Sequence, residues 1–122
     1  MAVHYAEDPA SQSIEITVDG RVTRDDWEQV VPKFEAFMNE HGTIRLIEVV
    51  NSLDGFEMGM IWDGIKFDFK AVPHISHCAV VTDIAWMSPL TRAAGAVMPM
   101  KMRVFPLAEL TAARRWLQSE DR

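Results

Sequence analysis

Two short runs constrain the fold of this chain more than any other feature. They are Ile44-Arg45-Leu46-Ile47-Glu48-Val49-Val50 and His77-Cys78-Ala79-Val80-Val81-Thr82. Both are rich in β-branched and small apolar residues and read as strands. The residues between them read as a long helix, Phe56–Val72, entered through a polar turn at Asn51–Gly55 and stopped by Pro73. Strands joined through a helix pair in parallel by a crossover, which is right-handed in nearly every known case.

The flanking segments extend the same alternation. Ala2–Ala6 and Ser13–Val18 read as opening strands; Ile14, Ile16 and Val18 point one way, Glu15 and Thr17 the other, and Asp19-Gly20 marks a turn. Thr23 is a good N-cap for a helix with Asp25 and Asp26 in its first turn. Trp27, Val30, Val31, Phe34, Phe37 and Met38 form its apolar face, and Gly42 suits its end. Pro32 removes a backbone donor inside this helix and predicts a kink there. Asp83 can cap a third helix from Ile84 to about Val97, with Pro89 near its first turns. Met102–Phe105 is a short last strand, and Leu110, Ala113 and Leu117 line the inner side of a final helix from about Leu107 to Gln118. The expectation is a single α/β domain over 1–122: a mixed, mostly parallel five-stranded sheet with four main helices, in the order β-β-α-β-α-β-α-β-α.

Composition narrows the function. Twelve basic against eighteen acidic residues give a net charge of −6, which argues against nucleic acid as a partner. No stretch is apolar for the length of a membrane span, and the start, MAVHYAEDPA, does not read as a secretion signal. The single cysteine, Cys78, sits in an apolar run; it reads as a small buried hydrophobe in a reducing compartment, most simply the cytoplasm.

The succession of segments resembles the SpoIIAA-like family within the STAS fold. The likeness is carried by Gly20-Arg21-Val22-Thr23 leading into Asp25-Asp26-Trp27, by Pro32, and by His41-Gly42-Thr43-Ile44-Arg45-Leu46. It continues through Gly55-Phe56-Glu57, Trp62, Lys66-Phe67, Ala79-Val80-Val81-Thr82-Asp83, Trp86, Val104-Phe105-Pro106-Leu107 and Ala113-Arg114-Arg115-Trp116-Leu117. The resemblance implies a bacterial, non-enzymatic protein whose fold is related to the CRAL-TRIO lipid-transfer domains, with apolar-ligand binding or membrane association. Regulatory STAS domains carry a phosphorylated serine at the start of the second helix. That place falls near Met58 here, with Glu57 in the acidic slot, so the kinase switch is not expected. Ser52, the nearest hydroxyl, reads as a turn residue.

The segment Phe56–Val72 has two apolar sides when wound as a helix. Ile61, Trp62, Ile65, Phe69 and Val72 fall within about 60° of Met58, while Phe56, Met60 and Phe67 fall near the opposite direction. The second side requires a cover: a neighbouring helix of the same chain, a second subunit, an apolar ligand or a bilayer surface. Between Ile84 and Pro106 there is no carboxylate, while Arg92, Lys101 and Arg103 stand among Trp86, Met87, Leu90, Val97, Met98, Met100 and Met102. Such a segment suits a headgroup boundary. Six of the seven methionines after the first lie between 58 and 102, and methionine adapts to varied guests. Gly59, Gly64, Gly95 and Pro99 are candidate bending points for a lid made by the two helices.

Motifs for other chemistry are missing from the sequence: no nucleophile elbow, phosphate loop, dinucleotide glycine pattern or zinc-protease helix occurs. His74 and His77 have no evident third metal ligand, and His41 suits a helix C-terminus. Glu48 reads as a strand residue reaching the sheet's edge, and no catalytic role is given to it or to Asp83. The expected function is a non-enzymatic carrier of an apolar, lipid-like ligand, needing no cofactor and no metal. Its site is Phe56, Met58, Met60, Trp62, Phe67, Trp86, Met87, Leu90 and Met98, with peripheral attachment to the inner membrane face through 56–72 and 84–97. The alternative is a protein-interaction or regulatory STAS module, which would dock a partner or form a homodimer through the same surface.

Overall fold

The computed structural model describes residues 3–56, 72–85, 89, 92–93, 96 and 99–119. Five strands form one sheet in the order β1-β2-β3-β4-β5: β1 Val3–Asp8, β2 Ser13–Val22, β3 Ile44–Phe56, β4 Ile75–Thr82 and β5 Lys101–Phe105. β1 runs antiparallel to β2, and every other pair is parallel. Among the described residues there are two α-helices, α1 Arg24–His41 and α2 Leu110–Ser119. Most of the expected second and third helices lies outside the described residues.

The two central strands are buried on both faces, which accounts for their almost continuous apolar runs. Leu46 and Val80 face α1 and pack with Ile14, Phe34, Phe37, Met38 and Cys78. Ile47, Val49, Ala79 and Val81 face α2 and pack with Phe105, Ala113 and Leu117. Successive strand residues point to opposite faces, so one β-branched run feeds two cores. Cys78 is buried, as its setting predicts.

Helix α1 begins and ends as its sequence directs. The Thr23 hydroxyl accepts the Asp26 amide at 3.2 Å, and the Asp26 carboxylate accepts the Thr23 amide at 3.1 Å. This reciprocal pair satisfies two donors that the helix itself leaves open. Gly42 closes the helix at φ +77° and donates to the Met38 carbonyl at 2.8 Å. Pro32 lies on the exposed side, within one helical span.

Several boundaries differ from the sequence expectation. β2 does not turn at Asp19-Gly20 but runs on to Val22, and Asn51–Gly55 is strand rather than turn. Register shifts separate Val18↔Val50 from Asp19↔Ser52 and Gly20↔Leu53 from Arg21↔Gly55. β3 therefore carries an extra residue at Asn51 and at Asp54, and the two bulges absorb turn-type residues without breaking the ladder. Gly20, at φ +100°, supplies the conformation the distorted ladder needs. Ser52 is a strand residue whose hydroxyl donates to Asp19 at 2.8 Å. Phe56 is the last residue of β3, opposite Val22, and not the first of a helix.

β1 reaches Asp8, β4 begins at Ile75 and β5 at Lys101. Val72-Pro73-His74 is a 3-10 turn and not the end of a long helix. A further 3-10 turn, Leu107–Glu109, precedes α2. Asp83 accepts the Leu107 amide at 3.0 Å, tying the end of β4 to the turn after β5, while the Thr82 hydroxyl accepts the Ile84 amide at 3.1 Å.

Arg45, buried on β3, holds the end of α2 by donating to the Leu117 carbonyl. The last turn of α2 has no basic residue of its own, so the sheet supplies the cation that complements the negative end of the helix. His77 lies beside Arg45 in register, with Nδ1 2.9 Å from the Ser76 hydroxyl and its ring centroid 5.9 Å from that of Trp116.

Candidate functional site

Phe56 is the only one of the nine sequence-predicted site residues within a described element, at the carboxyl end of β3. Met58, Met60, Trp62, Phe67, Trp86, Met87, Leu90 and Met98 lie outside the described residues.

Beside the carboxyl ends of β2 and β3 there is a hollow of about 180 Å³. Among the described residues, Val3 of β1, Ile16, Val18 and Val22 of β2, Glu48 and Val50 of β3, and Trp27 and Val30 of α1 line it. Strand alternation produces this wall, because Ile16 and Val18 share one face of β2 while Glu48 and Val50 share the same face of β3. α1 crosses this face, and Trp27 and Val30 stand one helical turn apart in its N-terminal half. Val22, on the rim, is the register partner of Phe56, so the segment that follows β3 in sequence starts beside the hollow. Carboxyl ends of parallel strands are where open α/β sheets place their ligands.

The hollow has about the volume of an engineered cavity of roughly 150 Å³ that stays dry and takes benzene. That is the volume of a small ring or a chain end, not of a whole lipid. Glu48 is the single ionisable side chain among its described walls. It is not at an edge of the sheet, as its place in the sequence suggests, but on the central strand, between Ile16 and Val80.

A larger depression of about 330 Å³ lies on the other face, beneath α2. Its walls include Glu7, Asp8, Ser13, Glu15, Arg114 and Gln118. Arg114 grips Glu15 with two bonds of 2.9 and 2.8 Å; both side chains are substantially exposed, so the pair contributes no more than about 1 kcal/mol. This depression is an open groove whose walls mix Ala6, Ile47 and Leu117 with the charged side chains, and its cation is already paired with Glu15, which makes it the poorer candidate despite its size. Nearby, the Tyr5 hydroxyl donates to Glu7 at 2.6 Å. Burial, with that bond to the carboxylate, raises its pKa far above the ordinary tyrosine value.

His74 Nδ1 sits 2.9 Å from the Gly42 carbonyl, joining the end of α1 to the start of β4. No group of three or more His, Cys, Asp or Glu side chains among the described residues could hold a metal ion. Among the same residues no helix is long and apolar enough to cross a membrane.

A five-stranded sheet with one antiparallel edge strand, a crossover helix on one face and a terminal helix on the other defines a STAS-type domain. The chain belongs to the SpoIIAA-like family, whose model matches residues 13–118. In fold it is similar to the crystal structure of an uncharacterised protein with a SpoIIAA-like fold from Shewanella loihica PV-4. The TM-score is 0.79 at 22% identity, over 95% of this chain and 92% of that one. No curated protein matches the sequence.

Proposed function

We propose that this protein is a non-enzymatic binding module for an apolar, lipid-like ligand. The observation that carries the reading is the hollow bounded by Val18, Trp27, Val30 and Val50 at the carboxyl edge of the sheet. Its described walls are apolar apart from Glu48, and an apolar guest that covers such walls removes them from water. In this reading Met58, Met60, Trp62 and Phe67, which follow Phe56 in sequence, and Trp86, Met87, Leu90 and Met98, which follow β4, complete the site and house the part of the ligand that the hollow is too small to take.

A second reading, peripheral attachment to an anionic membrane face, draws support from one observation. Arg92, Lys101 and Arg103 are all exposed, and no carboxylate occurs between Ile84 and Pro106. Juxtamembrane cations of this kind each contribute about 1 kcal/mol near an anionic surface.

Native mass spectrometry and thermal unfolding of the delipidated protein, with and without a total lipid extract, test the ligand reading. Retained mass and a raised Tm are expected, because a ligand that binds only the folded form stabilises it. No adduct and no shift would refute the carrier. Dimer mass that Phe67→Asp abolishes, without any adduct, would point to an interaction module instead.

A further inference from the structure

We propose that the outer edge of β1 is a self-association surface, on which a second copy of this chain pairs its own β1 antiparallel about a two-fold axis through Ala6. The proposal is independent of the hollow and of what fills it.

Among the described residues β1 is an outermost strand of the sheet, and its His4, Ala6, Glu7 and Asp8 are exposed. The ladder fixes which of its backbone groups stay open. The Arg45 amide donates to the Gln12 carbonyl at 2.9 Å, beside the pair Ser13↔Arg45. In a parallel bridge of this form the residues flanking Ser13 bond to β3, so Ser13, Glu15 and Thr17 turn their own amides and carbonyls to β1. Their partners Asp8, Ala6 and His4 are bonded inward, which aims the amides and carbonyls of Val3, Tyr5 and Glu7 outward. The six pairs run in unbroken register, and the strand holds no proline or lysine, so this edge lacks common devices that keep a further strand away. The opposite edge, β5, carries exposed Lys101 and Arg103.

Self-pairing must set outward residues against outward residues, and charge selects among the registers that do so. Placing Tyr5 against Glu7 of the second copy aligns His4 with its Asp8 and Ala6 with its Ala6. Each copy then gains a His4–Asp8 pair, in which an imidazole donates to a carboxylate in either protonation state, and no carboxylate stands directly opposite another. Sliding the strands by two residues, to set Tyr5 against Tyr5, leaves Asp8 without that partner. Ala6, the smallest side chain of the strand, falls on the axis. Ala6 and Asp8 border the open groove on the α2 face, and α2 itself packs on β3 and β4, two strands in from this edge.

Sedimentation equilibrium of the full chain from about 5 to 500 µM should show a reversible dimer, because a contact of one strand pair lies at the weak end of specific interfaces. Ala6→Lys places two cations on the axis and should raise the dissociation constant about tenfold. Thermal unfolding should be unchanged, since the register partner of position 6 is Glu15. Ala6→Cys should cross-link to its own copy on oxidation, because facing Cα atoms in a pair without backbone bonds lie about 4.5 Å apart, within disulfide reach. His4→Cys, also at an exposed position, should not, because its two copies stand about 14 Å apart along the strands. Cys78 is buried and common to both variants. A monomer at every concentration, assemblies that grow beyond a dimer as head-to-tail pairing of β1 with β5 would, a dimer that Phe67→Asp dissolves and Ala6→Lys does not, or equal cross-linking of the two cysteine variants would each overturn the proposal.

Discussion

Replacing Val18 and Val50 together by isoleucine should stabilise the protein while weakening its hold on small apolar guests. The two residues are register partners on adjacent strands, and both line the hollow. An enclosed cavity costs about 24 cal/mol per Å³, so about 180 Å³ sets an upper bound of about 4 kcal/mol on what its emptiness forfeits. Each added methylene that finds apolar contact contributes about 0.8 kcal/mol, or about 1.6 kcal/mol for the pair. For a chain of 122 residues that corresponds to a rise in Tm of roughly 6 °C. Urea unfolding should show a higher midpoint with an unchanged slope, the mark of a change in stability alone. Benzene binding should weaken in the same variant, since guest and side chains compete for one space. An unfolding free energy lowered by as much as 1 kcal/mol would mean overpacking, and would refute the claim that free volume lies between these strands and α1.

Other perturbations reach the frame around the hollow. Arg45→Met should cost about 2–3 kcal/mol, because the Leu117 carbonyl loses a charged donor and the end of α2 its complementary cation; hydrogen exchange confined to 110–119 should rise, and unchanged exchange would contradict the anchoring role. Thr23→Ala should cost about 1 kcal/mol by urea unfolding, since half of the capping pair is lost. The raised pKa of Tyr5 means that the folded state keeps a proton the unfolded chain releases near pH 10. Its contribution is complete below that pH and is lost as pH climbs past it. Tyr5→Phe should therefore flatten the alkaline fall in Tm, and an identical fall in both proteins would refute the assignment.

The architecture was legible because the strongest signals are periodic or local. The runs at 44–50 and 77–82, the helix from Thr23 to Gly42 and the inner face of the last helix each appear where the sequence places them. The ends of β2 and β3 were not legible. Asp19-Gly20 and Asn51–Gly55 are turn-type residues by composition, and only pairing between two strands, with a bulge at Asn51 and another at Asp54, turns them into ladder. Phe56 looks helical in sequence for the same reason: its partner, Val22, lies 34 residues earlier, beyond the reach of any local pattern. The hollow was invisible because it is assembled from β1, β2, β3 and α1 together. Its one readable trace was Glu48, which interrupts the alternating series Leu46, Glu48, Val50. Position alone made it look like an edge residue, whereas strand order makes β3 the centre of the sheet.

A crystal of the protein soaked with benzene, or pressurised with xenon, tests the central claim most directly. Density is expected between Val18, Val50, Trp27 and Val30, within reach of Glu48. Density only elsewhere, or an unoccupied hollow at saturating guest, would contradict it.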